Sequence, residues 1–91
     1  MSHLRESYIQ RQVTTYAKTR GWHCFKIDVF NFGGMPDYML LREPGQICFI
    51  EFKAPGKQPN KRQLWVINLL RGLGFSVYVI DDIERGKDIV K

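Results

Sequence analysis

The sequence predicts an α/β protein of the α+β kind, with the element order αβββαβ and a mixed sheet flanked by helices. Helical spacing of apolar residues near the N-terminus and over residues 60–72 is one basis for this prediction, and alternating apolar segments between them are another. A third is that a helix separates the last two strands, which allows a parallel crossover between them. A chain of 91 residues is long enough for one domain, which we expect to cover residues 1–91.

The first helix is predicted over residues 2–20, because Ile9 and Val13 fall at helical spacing and Gly21 follows as a stop signal. The first strand is predicted over residues 22–29, where apolar side chains alternate. On one face of this strand we expect Phe25, Ile27 and Val29.

A hairpin is predicted from strands over residues 37–42 and 46–53, and its turn admits two registers. A four-residue loop would pair Asp37 with Phe52. We favour the three-residue loop Glu43-Pro44-Gly45, because such loops need a left-handed residue and Gly45 supplies it. This register pairs Asp37 with Glu51, Met39 with Phe49 and Leu41 with Ile47.

In the second half of the chain, the spacing of apolar residues predicts a helix over residues 60–72, a strand over residues 75–80 and a short helix in the tail. Gly72 and Gly74 are the expected stop signals of the first of these helices. Its apolar positions on neighbouring turns are Leu64, Ile67 and Leu70 or Arg71.

The charge balance, 14 Lys and Arg against 9 Asp and Glu, gives a net charge of +5 and suggests an anionic partner such as nucleic acid. Residues 1–80 hold 11 basic and 5 acidic side chains, whereas residues 81–91 hold 3 and 4. The densest basic stretch, which contains no acidic residue, is either a solvated loop or a phosphate-contacting loop. Its basic residues are Lys53, Lys57, Lys61 and Arg62.

Several classes of protein are excluded by composition. The hydrophobic content of 44% is too high for a disordered tail, and we find neither a membrane span nor the apolar core of a signal peptide. Cys24 and Cys48 fit core positions and suit a protein of a reducing cytosol, and His3 and His23 lack metal-ligand spacing. The conspicuous aromatic residues are expected to be core or dimer contacts; they are Trp22, Tyr38, Trp65, Phe75 and Tyr78.

Asp37, Glu51 and Lys53 stand where apolar strand residues are expected, and the favoured register places the two carboxylates side by side. Adjacent carboxylates repel each other, and a hard divalent cation such as Mg²⁺ or Mn²⁺ offsets the repulsion. Lys53 can position a water molecule or stabilise charge on a phosphate. The alternative is a Glu51–Lys53 salt bridge at a sheet edge.

These residues resemble a known signature. Gly34-Met35-Pro36-Asp37, fourteen residues before Glu51-Phe52-Lys53, resembles the motif of the PD-(D/E)xK nucleases. Three further features resemble motifs of the VRR-NUC (virus-type replication-repair nuclease) branch of these enzymes. They are Gln63 with Leu70 and Gly74, Glu6-Ser7 with Gln10, and the tail VYVIDDIERGKDIVK. The resemblance implies a restriction-endonuclease-like fold and covers nearly the whole chain.

The resemblance also implies roles for individual residues. Asp37 and Glu51 would ligate the metal with the backbone carbonyl of Phe52, and Lys53 would act on the attacking water or the transition state. Glu6 would complete the acidic metal site from the first helix, directly or through water, and Gln63 would support it from the second helix. Simpler roles stay open: Glu6 suits a first helical turn, Gln63 a helix start, and Asp37 a turn after Pro36. We also hypothesise that the loop of Asn31, Phe32, Gly33 and Gly34 lies over the metal site.

The function expected from these features is a Mg²⁺-dependent DNA endonuclease. A stand-alone domain of this size resembles the phage members of the branch, which are homodimers that cut four-way (Holliday) junctions, and the resemblance implies the phage or bacterial host cytoplasm. Abundant aromatic residues around a small core also suit a dimer. Lys57, Lys61 and Arg62 would hold the DNA backbone, so recognition would depend on shape. The alternatives are a less selective nuclease acting on flaps, nicked duplex or RNA, and a basic nucleic-acid-binding module without catalysis.

Overall fold

Helices and strands follow one another along the chain in the order that the sequence predicts. The structure, a computed structural model, describes residues 4–28 and 33–91. The elements are α1 (Glu6–Thr19), β1 (His23–Lys26), β2 (Tyr38–Arg42), β3 (Gln46–Phe52), α2 (Lys61–Gly72), β4 (Ser76–Ile80) and α3 (Ile83–Val90). The predicted fold class and element order, including the short final helix, are confirmed.

The four strands form one mixed sheet in the order β1-β2-β3-β4. The first three strands are antiparallel neighbours, while β4 runs parallel to β3 after the crossover through α2. Met39 pairs with Phe49, which confirms the three-residue hairpin loop. Gly45 has φ +61°, the left-handed conformation that this loop requires.

The two faces of the sheet bury different side chains because successive strand residues point to opposite faces. One face packs against α1 and α3, where Leu40, Ile50 and Phe52 are fully buried. The other face packs against α2, where Phe49 lies in a cluster with Ile67 of the helix. By the same alternation Glu51 points to the α2 face, which also carries the apolar cluster of Phe49 and Ile67.

Helix α3 closes over α1 through a close contact at Gly86. A Cβ atom at Gly86 would lie 2.6 Å from a methyl carbon of Val13 and 3.0 Å from one of Ile80. Trp22 fixes the end of the same helix, since its indole N–H donates a 2.8 Å hydrogen bond to the carbonyl of Val90. Trp22 is therefore a core residue.

The observed boundaries differ from the predicted ones mainly at the N-terminal half. Helix α1 starts at Glu6, and β1 ends at Lys26, although the N–H of Ile27 still donates to the carbonyl of Asp37. Leu64 was predicted on the helical stripe with Ile67 but is 43% exposed, because α2 instead buries Val66 beside Ile67. The predicted positions that lie outside the described residues are His3, Val29, Asn31 and Phe32.

None of the helices in the described ranges is long and apolar enough to span a bilayer.

Candidate active site

Glu51 lies near the end of β3, in the interior of the sheet between β2 and β4. Its side chain is 2% exposed. One carboxylate oxygen, Oε2, accepts a 2.8 Å hydrogen bond from Gln63 Nε2 and lies 3.2 Å from Lys53 Nζ. Oε1 is buried and has no hydrogen-bond partner among the described residues. The salt bridge with Lys53 therefore exists, but it satisfies one oxygen only and does not lie at a sheet edge.

Asp37 lies beside Glu51, just before β2 begins. The β2–β3 register, extended by one residue from Tyr38 opposite Ile50, places Asp37 opposite Glu51. Its Oδ2 accepts a 2.8 Å hydrogen bond from the main-chain N–H of Phe52. This bond holds the Asp37 side chain against the end of β3, next to the buried carboxylate.

Burial disfavours the ionised form of both carboxylates, and the charge of Asp37 further disfavours that of Glu51. Burial raises the pKa of Glu51 to about 7, with further raising by the charges of Asp37 and Glu6 and an opposing effect of Lys53. Burial also raises the pKa of Asp37, against the N–H of Phe52 and the charge of Lys53. A cation bound between them would stabilise both ionised forms.

Gln63 both starts its helix and supports the carboxylate pair. Its main-chain N–H donates to Asn60 Oδ1 at 2.9 Å, and its Oε1 accepts from the N–H of Asn60 at 2.9 Å, which completes a capping box. Since a main-chain N–H can only donate, this fixes the amide orientation and turns Nε2 towards Glu51. The two roles open from the sequence are thus combined in one side chain.

Asn60 is a supporting residue that the sequence reasoning missed. The spacing Asn60-x-x-Gln63 matches the capping-box pattern and could have identified it. Lys26, at the end of β1, is a second such residue, because its charge lowers the pKa of Asp37. Nothing in the sequence pattern marks Lys26.

Glu6 begins α1, on the opposite face of the sheet from α2, and its side chain is half-buried. Its charge reaches Glu51, where it contributes to the raised pKa. Within residues 4–28 and 33–91, however, no three acidic, histidine or cysteine side chains are grouped closely enough to hold a metal ion. Asp37 and Glu51 are therefore the carboxylates that the structure brings together.

The predicted basic residues divide into two kinds. Lys57 and Lys61 are exposed, on the loop between β3 and α2 and at the first position of α2. The Arg62 Nε–H instead donates a 3.1 Å hydrogen bond to the carbonyl of Gly33. The loop itself is fixed, since the N–H of Gly56 donates to Asp81 Oδ2 at 3.1 Å.

The remaining predicted residues lie outside this site. Both cysteines are free, and burial raises the pKa of the Cys48 thiol to about 11, as expected of a core position. Among the aromatic residues, Tyr38 packs edge-on against Phe52, whereas Trp65 is 56% exposed. Phe75 packs edge-on against Phe49, and Tyr78 is half-buried. On β1, Cys24 is half-buried and His23 is exposed.

The donor set of this site fits a small hard cation. Mg²⁺ in proteins takes oxygen ligands and commonly uses one or two carboxylates, with water or substrate phosphate completing its shell. Asp37 and Glu51 supply two carboxylates, and Oε1 of Glu51 is a buried oxygen with no hydrogen-bond partner in residues 4–28 and 33–91. The arrangement can therefore hold a metal beside Lys53, which is 17% exposed.

Comparisons with known proteins agree with this geometry. No family model matches the chain. A protein named "Putative nuclease p44", from Acyrthosiphon pisum secondary endosymbiont phage 1, is 32% identical over 78 residues, which cover 86% of this chain and 84% of that protein. A solved structure described as a VRR_NUC domain superposes with a TM-score of 0.87 at 22% identity, covering 93% of this chain and 92% of that one. The motif residues meet at one end of the β2–β3 hairpin, and the phage relative matches this chain over most of its length. The chain therefore belongs to the VRR-NUC family of nucleases.

Proposed function

We propose that this protein is a metal-dependent endonuclease that hydrolyses phosphodiester bonds in DNA, and that it cuts four-way junctions as a homodimer. The observation that carries the metal-dependent part is the carboxylate of Glu51. It is held in the interior of the sheet with Asp37 beside it, and one of its oxygens has no hydrogen-bond partner in the part of the chain that the structure describes. A side chain so costly to bury is expected where a cation completes the site.

The residues that would hold Mg²⁺ are Asp37, Glu51 and the main chain of Phe52. The Phe52 side chain is a hydrocarbon without a metal-binding atom, and its N–H donates to Asp37, so its carbonyl oxygen is the atom that can take part. The N–H and C=O of one strand residue point to the same side, and the Phe52 N–H already bonds Asp37, so its carbonyl lies on the Asp37 side of β3. Bound there, the metal would supply an activated water and neutralise phosphate charge. Glu6 would act from α1 through its field or through water.

Lys53 lies two residues after Glu51, just past the end of β3 and on the same face of the sheet, and is the residue we propose to act on the reacting groups. Its Nζ is 3.2 Å from Glu51 Oε2, so its charge is held beside the carboxylate pair. From this position it can orient the attacking water or stabilise charge that develops on the phosphate. Gln63 would hold Glu51 in place through its hydrogen bond.

Lys57 and Lys61 are the side chains we propose to hold the DNA backbone. They are exposed on the segment that follows Lys53 and leads into α2. Contacts of this kind bind phosphates without reading sequence, so the protein would recognise the shape of its substrate. Two active sites in a dimer would face two strands, which suits symmetric cutting of a junction. Exposed apolar side chains such as Trp65, Leu69 and Leu73 of α2 and its C-cap are consistent with a partner copy.

The test is a cleavage panel with labelled four-way junction, flap, nicked duplex, linear duplex, single-stranded DNA and RNA, each with Mg²⁺, Mn²⁺ or EDTA. We expect metal-dependent cutting with a preference for the junction. Lys53→Ala should lower the cleavage rate by about 10²–10³-fold while junction binding in EDTA persists. Lys87→Ala is the matched control, because Lys87 packs over Tyr16 on the other face of the sheet.

Each alternative has its own outcome in this panel. Binding without cutting under every metal would show a non-catalytic module, and equal cutting of all substrates would show a less selective nuclease. Sedimentation equilibrium at micromolar concentration tests the dimer, since a monomer that persists with junction bound would contradict the homodimer.

A further inference from the structure

The first turn of α2 is in direct contact with the loop that leads to Asp37. Gly34 has φ +93°, and a Cβ atom there would lie 2.8 Å from Arg62 Cγ and 2.9 Å from the Arg62 carbonyl oxygen. The glycine backbone therefore rests against the start of α2 as closely as a residue without a side chain allows. The Arg62 Nε–H closes the contact by donating to the carbonyl of Gly33 at 3.1 Å.

The segment from Gly34 to Asp37 is short and stiff. Only Met35 and Pro36 separate the two residues, and Pro36 is fully buried with the restricted φ of a proline. Asp37 is then fixed at its other end, where its Oδ2 meets the N–H of Phe52 at 2.8 Å. A shift of the Gly33–Gly34 turn would therefore move the Asp37 carboxylate as well.

The same helical turn also holds the second carboxylate. Gln63, the residue after Arg62, donates from Nε2 to Glu51 Oε2 at 2.8 Å, and the capping box with Asn60 fixes this turn. Two consecutive residues of α2 thus reach the segments of Asp37 and Glu51. The distance between the Asp37 and Glu51 carboxylates would therefore depend on the first turn of α2 as well as on the sheet.

We infer that Arg62 is a positioning residue, whose Nε–H holds the Gly33–Gly34 turn and thereby sets the Asp37 carboxylate against Glu51. This role replaces the phosphate contact expected of Arg62 from the basic composition of its segment. The inference rests on the proposed function for its consequence in catalysis, while its structural part concerns the loop alone. The two roles need different parts of the side chain, the donor at Nε for positioning and the positive charge for phosphate binding.

Two substitutions separate the donor from the charge. Arg62→Gln places an amide nitrogen where Nε stands, so it keeps a donor and removes the charge. Arg62→Lys keeps the charge and places a methylene carbon at that position. We expect R62Q to stay within about 3-fold of wild type in kcat and in Mn²⁺ affinity, and R62K to lose about 10–100-fold in one or both. The KM for the junction and its salt dependence should change little in R62K.

The readouts are single-turnover cleavage, Mn²⁺ titration by electron paramagnetic resonance without nucleic acid, and the amide signals of Gly34 and Asp37 in two-dimensional NMR. The two amide signals should move in R62K and stay near their wild-type positions in R62Q. Lys61→Ala, at the adjacent exposed position, is the control and should leave these signals and Mn²⁺ affinity unchanged. Any result in which R62Q is no closer to wild type than R62K overturns the inference.

Failure of the proposed function is distinguishable from failure of this inference. A wild-type protein that cuts no substrate with any metal would end the proposed nuclease activity. The NMR comparison of R62Q and R62K would still decide whether Arg62 holds the turn, because it needs neither metal nor DNA.

Discussion

Glu51 is a residue at which stability and chemistry conflict. It lies in β3 among buried apolar side chains, where an apolar residue would avoid the cost of burying a charge. The protein offsets part of this cost at Oε2 through Lys53 and Gln63 and leaves Oε1 unpaired among the described residues. The residual cost appears as the pKa of about 7, against an ordinary value of 4.5.

This pKa predicts how stability depends on pH. Because the folded pKa of Glu51 lies above its ordinary value, the folded protein binds more protons than the unfolded chain between pH 4.5 and about 7. Without metal, the free energy of unfolding should therefore fall as pH rises through this window, by about 3 kcal/mol at most. Chemical denaturation at pH values across the window measures this fall.

Added Mg²⁺ should reverse most of the loss at the alkaline end, because a cation favours the ionised carboxylate. Glu51→Gln is the control, since its amide does not titrate. The variant should lose most of the pH dependence and most of the stabilisation by Mg²⁺. A wild-type protein whose stability is flat across the window, or an E51Q variant that Mg²⁺ stabilises as strongly as wild type, would contradict the assignment.

Gly34→Ala is a second prediction for a single residue. The substitution forces a side chain into a positive φ and against the Arg62 main chain, so we expect about 3 kcal/mol lower stability and a reduced cleavage rate. Gly56→Ala is the matched control, because Gly56 also has a positive φ of +78° but open space around its Cβ position. Urea denaturation of both variants isolates the contact with Arg62; equal losses would show that φ alone decides.

At the scale of an element, β4 shows how an edge strand is protected. It is the last strand of the sheet, and its Ile80 carbonyl accepts from Lys53 N–H on the inner side. Because successive carbonyls of a strand point to opposite sides, the carbonyls of Val77 and Val79 point away from β3. Arg71 donates two hydrogen bonds to the Val77 carbonyl, of 2.6 and 3.2 Å, and Arg85 donates one of 2.5 Å to the Val79 carbonyl.

These two arginines should keep β4 from pairing with another chain. We expect the double variant Arg71→Ala, Arg85→Ala to lose about 1–2 kcal/mol of stability and to aggregate at concentrations where wild type does not. Dynamic light scattering over a concentration series measures the aggregation. The double variant Arg5→Ala, Arg11→Ala removes two positive charges from exposed positions at and before α1 and so controls for net charge. Aggregation of both double variants alike would contradict a specific role of the edge.

Most elements were predictable from local patterns, and their packing was not. The hairpin register followed from strand alternation and from Gly45, since a one-residue slip would move every side chain to the other face. The buried side of α2 could not be predicted in the same way, because Leu64 and Val66 are apolar residues on either side of Ile67 around the helix, and either could be buried with it. Only the position of α2 over the sheet leaves Leu64 exposed and buries Val66.

The candidate site was predictable to the same extent. Asp37, Glu51 and Lys53 were visible because polar residues broke an apolar strand pattern, and the register placed the carboxylates side by side. The contact of Arg62 with Gly33 and Gly34 joins residues far apart in sequence, and no local period or motif encodes it. Basic composition pointed instead to a surface role for Arg62.

For the whole molecule, the net charge of +5 overstates the charge available to a phosphate backbone. Many basic side chains have partners within the protein. Arg42 donates hydrogen bonds to Gln46 and to the Arg20 carbonyl and lies 4.1 Å from the Trp22 ring centroid, and Lys91 forms an ion pair with Asp88. Main-chain carbonyls accept hydrogen bonds from three further arginines, Arg62, Arg71 and Arg85. The salt dependence of binding should therefore be set by a few exposed lysines rather than by composition.

Lys57 and Lys61 provide the final prediction. Each phosphate contact contributes a slope of about −0.9 to the logarithm of the binding constant against the logarithm of salt concentration for duplex DNA. Lys57→Ala and Lys61→Ala should each weaken junction binding and make this slope shallower by about one unit. Lys87→Ala removes the same charge from the opposite face of the sheet, so its slope should equal that of wild type. Fluorescence anisotropy over a salt series in EDTA measures all three, and equal slopes in the three variants would mean that overall charge, not this segment, binds the DNA.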